Sequence, residues 1–242
     1  MGRITWVLIL LNVLAFEIVF SMPEKMFEQA FGMLAFSSPQ LLEIWRLLTS
    51  LFMHASASHL FFNMLGLYFF GKMVEKEAGP KKFLALYFIS GIIGNLAYGF
   101  ISADPVVGAS GCVFGLMGFA MLTKPKEIIN MYVIPLPLGV VAVIFAVVES
   151  MLVYFGEAKS GIAHAAHIAG LAVGLLTAFL HNPKKSGKGL LWLIAFVIII
   201  VAIGPLFSLV MELGNLFLGA VDFVLGIVLY GIADVIGIFL WL

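Results

Sequence analysis

The 242 residues are 63% hydrophobic and 11% charged, with basic and acidic side chains in exact balance and a mean hydropathy of +1.15. These values exclude an ordinary soluble domain, and a net charge of zero leaves a nucleic-acid partner without electrostatic support. The single cysteine, Cys112, rules out an intrachain disulfide and lies in an apolar run, where a buried thiol is expected.

Long apolar runs separated by short charged loops predict an all-α, polytopic transmembrane helix bundle. In chain order the runs place spans at about 4–20, 50–70, 83–102, 110–123, 136–155, 161–180, 190–211 and 216–242. The first run is followed by Met22-Pro23-Glu24-Lys25 rather than a small-residue cleavage site, so it is expected to remain as a span. The connection from Ser21 to Arg46 is long for a membrane protein. It mixes Met26, Phe27, Phe31 and Phe36 with Glu24, Lys25 and Glu28, which suits either an outer loop lying partly in the interface, anchored by Trp45-Arg46, or a plain amphipathic connector.

Charge sets the expected orientation. With the N-terminus in the cytoplasm, the inside loops hold Arg3, Lys72, Lys76, Lys81, Lys82, Lys124, Lys126, Lys184, Lys185 and Lys188, against Lys25, Arg46 and Lys159 outside. No basic residue follows Lys188, so charge does not place the eighth span, and Asp222 and Asp234 make it costly in lipid. Gly204-Pro205 is expected to kink the seventh.

The stretch Gly108-Ala109-Ser110-Gly111-Cys112-Val113-Phe114-Gly115 organises the rest of the chain. It puts a serine at the start of a short apolar helix, directly after a loop broken by Asp104-Pro105. The first-turn N–H groups of such a helix have no carbonyl partner and favour negative charge near the serine oxygen. Gly108 and Gly111 allow a sharp bend and a close approach. The same pattern also suits a packing helix whose serine bonds to its own backbone, so the site depends on finding a base.

Polar residues inside spans are the place to look. Ser110 lies 14 residues before Lys124 and His167 lies 14 before His181, each about 21 Å of helix. His59 and Asn63 lie 13 and 9 residues before Lys72, about 20 and 14 Å. In a core about 30 Å thick, three segments therefore bring polar groups to a similar level, about 10 Å below the outer surface. A span from Ser110 to Thr123 is also too short to cross alone. The loop before it must dip into the membrane, which is tolerable beside a wet cavity or buried in protein.

The glycines bring the candidates together. Gly170 and Gly174 follow His167 on one face, and Gly111, Gly115 and Gly118 follow Ser110, so two small-residue faces can pack closely with serine and histidine at one height. His167 is then a natural general base for Ser110, in a dyad without an obvious carboxylate. Phe114, four residues after Ser110, can stack on the imidazole. His59 and Asn63 share a helix face and can join the Ser110 N–H in stabilising an oxyanion, or can be a packing pair bonded to a loop carbonyl. His54 and His164 rank lower, with His164 expected at the water boundary. Glu17 and Glu149 are unassigned, although Glu149 suits either tuning of the site or a hydrogen bond inside the bundle. No metal site is expected, because His164-x-x-His167 offers only two neighbouring ligands.

Taken in order, Trp45-Arg46, His54, His59-Leu60-Phe61-Phe62-Asn63, Gly71, Glu75, Gly108-Ala109-Ser110-Gly111 and His167-Ile168-Ala169-Gly170 with Gly174 resemble the rhomboid intramembrane serine proteases. The resemblance covers residues 1–182 and implies a six-helix catalytic core, with 183–242 as one or two additional C-terminal spans. It implies Ser110 as nucleophile, His167 as base, and His59 with Asn63 as the oxyanion group. The family usually has tyrosine where Phe114 stands, so the ring is kept and a hydroxyl lost.

The expected function is hydrolysis of peptide bonds in membrane-spanning protein substrates near the outer face of the bilayer, in a prokaryotic cell membrane, without a cofactor. A catalytically inactive rhomboid-like binding factor is the alternative, though such relatives lose the serine or the histidine. A small transporter would need a polar path across the whole bilayer, whereas these polar groups gather on one side of its midplane.

Overall fold

The lipid-facing and inward-facing sides of the first helix show how the chain is built. In the computed structural model, which describes residues 2–131, 134–141, 164–199 and Glu212, Leu216 and Ala220, helix α1 spans Arg3–Phe20. Its Trp6, Leu10, Leu14 and Ile18 are exposed, while Thr5 and Asn12 are fully buried. That is the reverse of a soluble helix, and it follows from a solvent of hydrocarbon: polar side chains gain by turning inward to find partners. The Glu75 carboxylate accepts from the N–H groups of Ile4 and Thr5 and from the Thr5 hydroxyl at 2.8–3.1 Å, closing the first turn of α1.

Two short helices follow, α2 at Glu24–Leu34 and α3 at Arg46–Thr49. The free carbonyls at the end of α2 are taken up by α3 and the residue before it. Arg46 donates to the carbonyls of Gly32 and Ala35, Thr49 Oγ1 to that of Leu34, and Trp45 Nε1 to that of Met33. Arg46 is buried, braced by Glu43 at 2.8 Å. Trp45 and Arg46 therefore tie the segment to itself.

The second span differs from the sequence expectation of 50–70. Ser50–Phe52 is a separate short turn, Met53 is extended, and the helix starts only at Ala57, where the Ser56 side chain caps the His59 N–H at 3.2 Å. Helix α4 at Ala57–Gly66 continues through a π-helical segment, Leu67–Gly71, into α5 at Lys72–Ala78. Apolar composition does not distinguish a loop buried under the bundle from the helix that follows it. Helix α6, Pro80–Gly99, begins at the proline, whose missing N–H costs nothing in a first turn.

Helix α7, Ser110–Thr123, begins and ends where the sequence pattern puts it. Every residue from Gly111 to Thr123 except Phe114 is buried, so this helix is the axis of the bundle. After it comes an antiparallel hairpin that hydropathy does not predict: β1, Ile128–Met131, pairs with β2, Ile134–Pro137, in the register Ile129 to Leu136. The fifth span was expected from 136, but Ile134–Pro137 is strand, and helix starts at 138; the rest of that span lies outside the described residues. Helix α8, His164–His181, is the sixth span, and residues 183–199 are helical, seven residues ahead of the expected start at 190. Gly204-Pro205, Glu149, Asp222, Asp234 and all of the eighth span but Leu216 and Ala220 lie outside the described residues. Met1–Phe196 form one compact unit and Val197–Leu242 a second.

The helices α1, α6 and α8 are each long and apolar enough to cross a membrane, and with the shorter α7 they define a helical membrane bundle.

Candidate active site

Helices α7 and α8 meet through backbone rather than side chains. A Cβ at Gly170 would strike the carbonyl oxygen of Gly111, and one at Gly174 would strike that of Gly115. Only glycine permits this approach, and it sets the first turn of α7 against the first turns of α8. The Ala166 carbonyl lies 3.6 Å from where a Gly111 Cβ would be. Ser110 is the residue before Gly111, and His167 the residue after Ala166. The two are thereby brought to the same contact.

The imidazole of His167 is held there by a ring. Phe114 lies flat on it, with centroids 4.4 Å apart and planes 4° from parallel. Phe114 is one helical turn beyond Ser110 on the same face, where side chains are about 5–6 Å apart at Cβ. His167 is 7% exposed and His164 approaches it edge-on at 6.1 Å. His164 was expected at the water boundary, but it is 6% exposed; the tight α7–α8 packing covers the first turn of α8 as well as the second.

On the other side, Gly108 forms the floor on which α4 meets the loop. Its φ of +117° and the His59 ring atoms 2.7 Å from a Cβ there each require glycine. Asn63 Nδ2 lies 3.7 Å from the same point and donates to the His59 carbonyl at 3.0 Å, which leaves its second N–H. The Ala55 N–H points at His59 Nδ1 at 3.5 Å, so the ring proton belongs on Nε2, the atom facing Gly108. His59, Asn63 and the start of α7 therefore surround one backbone turn, with donors turned toward it.

Three residues that sequence reasoning ranked low or missed hold this turn. His54, 2% exposed, accepts from the Ala109 N–H through Nε2 at 3.5 Å and meets His59 edge-to-face at 5.1 Å. The Ser50 carbonyl accepts from the Gly108 N–H at 2.9 Å, and Asn95 Nδ2 on α6 donates to Ser50 Oγ at 2.9 Å. Further out, Phe36 and Val106 exchange backbone bonds of 3.1 and 2.7 Å, fastening the outer connection to the loop before α7. For Ser50 and Asn95 the available signal was polarity inside an apolar run. Glu17 lies on an exposed face of α1. Among the described residues no group of three potential metal ligands occurs.

A helical membrane bundle with serine, stacked histidine, and a paired histidine and asparagine around a glycine turn is a well-defined class. The family model described as Rhomboid domain matches residues 41–184, more than half the chain. This chain belongs to the rhomboid family. It is 35% identical over 144 residues to the rhomboid protease GlpG of Yersinia pseudotuberculosis serotype I (strain IP32953), covering 60% of this chain and 50% of that protein. It is also 35% identical over 166 residues to the rhomboid protease GluP of Bacillus subtilis (strain 168), covering 68% of this chain and 32% of that one. The matched region spans half or less of the length of these curated relatives.

Proposed function

We propose that the protein is an intramembrane serine protease whose catalytic core is residues 1–182, with 183–242 as one or two added membrane spans. The observation that carries this reading is the flat stacking of Phe114 on His167 one turn from Ser110. It gives the histidine a fixed plane beside a serine at a helix N-terminus, as a dyad without an orienting carboxylate requires.

Ser110 Oγ attacks the scissile carbonyl while His167 takes its proton. The carbonyl oxygen becomes an oxyanion, stabilised by the Ser110 N–H, His59 and Asn63; a donor of this kind is worth about 10²–10³ in rate. His167 then gives its proton to the leaving amine, and water hydrolyses the acyl-enzyme by the same path in reverse. No cofactor enters. The substrates are transmembrane proteins held in the lipid bilayer. The membrane in this reading is a prokaryotic cell membrane; the basic-residue asymmetry supports a cytoplasmic N-terminus and a site opening near the outer face.

The test is labelling of the protein in membranes with a fluorophosphonate serine probe, native against Ser110→Ala and His167→Ala. Labelling and cleavage of a transmembrane reporter should vanish in both variants. Native protein that binds the reporter but neither cuts it nor takes the probe would identify an inactive binding factor instead.

A further inference from the structure

A groove of about 230 Å³ lies between α6 and α8, walled by apolar side chains and closed at one end by two basic ones. It sits away from the candidate active site: Phe119, on its floor, is nine residues beyond Ser110, about 14 Å along α7. Its walls include Ala85, Ile89 and Leu180, all exposed on the outside of the bundle, with Leu180 at 77%. Its basic end is Lys82 in the first turn of α6 and His181 at the end of α8, with Lys82 Nζ 3.2 Å from His181 Nδ1.

We propose that this groove binds an anionic phospholipid, with the phosphate on Lys82 and His181 and an acyl chain along Ala85, Ile89 and Leu180. Charge complementarity selects that occupant. The ammonium donates to Nδ1, so the His181 proton is on Nε2, and the pair keeps further N–H donors, two on Lys82 and one on His181, for a phosphate. Phe119 braces the imidazole from behind at 5.4 Å between centroids. Among the described residues no carboxylate lines the groove, and Glu77, the acidic residue nearest in sequence to Lys82, is paired with Lys185. A choline or ethanolamine headgroup therefore finds no acceptor for its cation. The wall from Lys82 to Ile89 runs about 10 Å along α6, so the Lys82 ammonium and the His181 N–H sit at headgroup level and the apolar wall at acyl level. Basic pockets between transmembrane helices select anionic headgroups for this reason, and each charge near the surface is worth about fivefold in affinity.

The experiment reconstitutes the full chain in nanodiscs of mixed phosphatidylglycerol and phosphatidylcholine, then counts co-purifying lipids by native mass spectrometry. Native protein should retain phosphatidylglycerol over phosphatidylcholine by about fivefold or more. Lys82→Gln with His181→Gln should abolish that preference at unchanged melting temperature, while Lys124→Gln, which does not line the groove, should keep it. Ala85→Trp, on an exposed wall, should reduce retention of both lipids. A double variant with native preference, or native protein with none, overturns the proposal. Displacement of phosphatidylglycerol by millimolar inorganic phosphate would also overturn it, by showing a phosphate site rather than a lipid site.

Discussion

Replacing Gly170 by alanine adds one methyl group at the seam on which the candidate dyad depends. The new Cβ would collide with the Gly111 carbonyl oxygen, which is backbone at a buried position of α7 and cannot turn aside as a side chain can. The helices must part by roughly 1 Å to restore ordinary contact, and a displacement of that size between reacting groups costs on the order of 10²-fold in rate. Overpacking alone is expected to cost about 1–3 kcal/mol of stability. The matched control is Gly32→Ala in α2, where an added Cβ meets nothing within 4 Å. Both variants would be compared in proteoliposomes by cleavage of a fluorogenic transmembrane substrate, with melting temperature read in the same detergent. Gly170→Ala should lose about two decades of kcat, and Gly32→Ala should behave as native. A Gly170→Ala protein with native kcat would refute the claim that backbone contact between α7 and α8 sets the distance between Ser110 and His167.

Other substitutions separate roles within the site. His59→Ala and Asn63→Ala should each lower kcat by about 10²–10³ with little change in KM, since the donors act on charge that develops in the transition state; a change confined to KM would make them substrate contacts. Phe114→Leu should reduce kcat while Phe114→Tyr should not, because the tyrosine keeps the ring on His167; equal activity of the two would remove stacking from the account. His54→Ala should lower kcat by about tenfold yet leave turnover measurable, the value of one hydrogen bond to the Ala109 N–H, and complete loss would place it in the chemistry itself. Glu75→Ala should destabilise the fold by about 1–3 kcal/mol, by thermal unfolding in detergent, because three donors of the first turn of α1 lose their partner.

The membrane class and the boundaries of α1 and α7 could be read from the chain, and Ser110, His167, His59, Asn63 and Phe114 could be singled out from it as candidates. Each depends on local composition or spacing: hydropathy over a window, a serine opening a glycine-rich helix, polar groups counted to a common depth. Hydropathy is a sum and carries no direction, which is why it merged the buried turn at Ser50–Phe52 with α4 and missed the hairpin of β1 and β2. The supporting shell was legible only in three dimensions. His54, Ser50 and Asn95 hold the Gly108–Ala109 turn through bonds that join positions 45–58 residues apart. His164 turned inward because its helix packs against another, and burial belongs to such a pair rather than to one residue. The groove between α6 and α8 likewise exists only because positions 82 and 181, 99 residues apart in sequence, end at one level. Chemistry and depth are properties of residues counted along one helix, whereas positioning is a property of helices packed together, and that packing is decided by the tertiary structure.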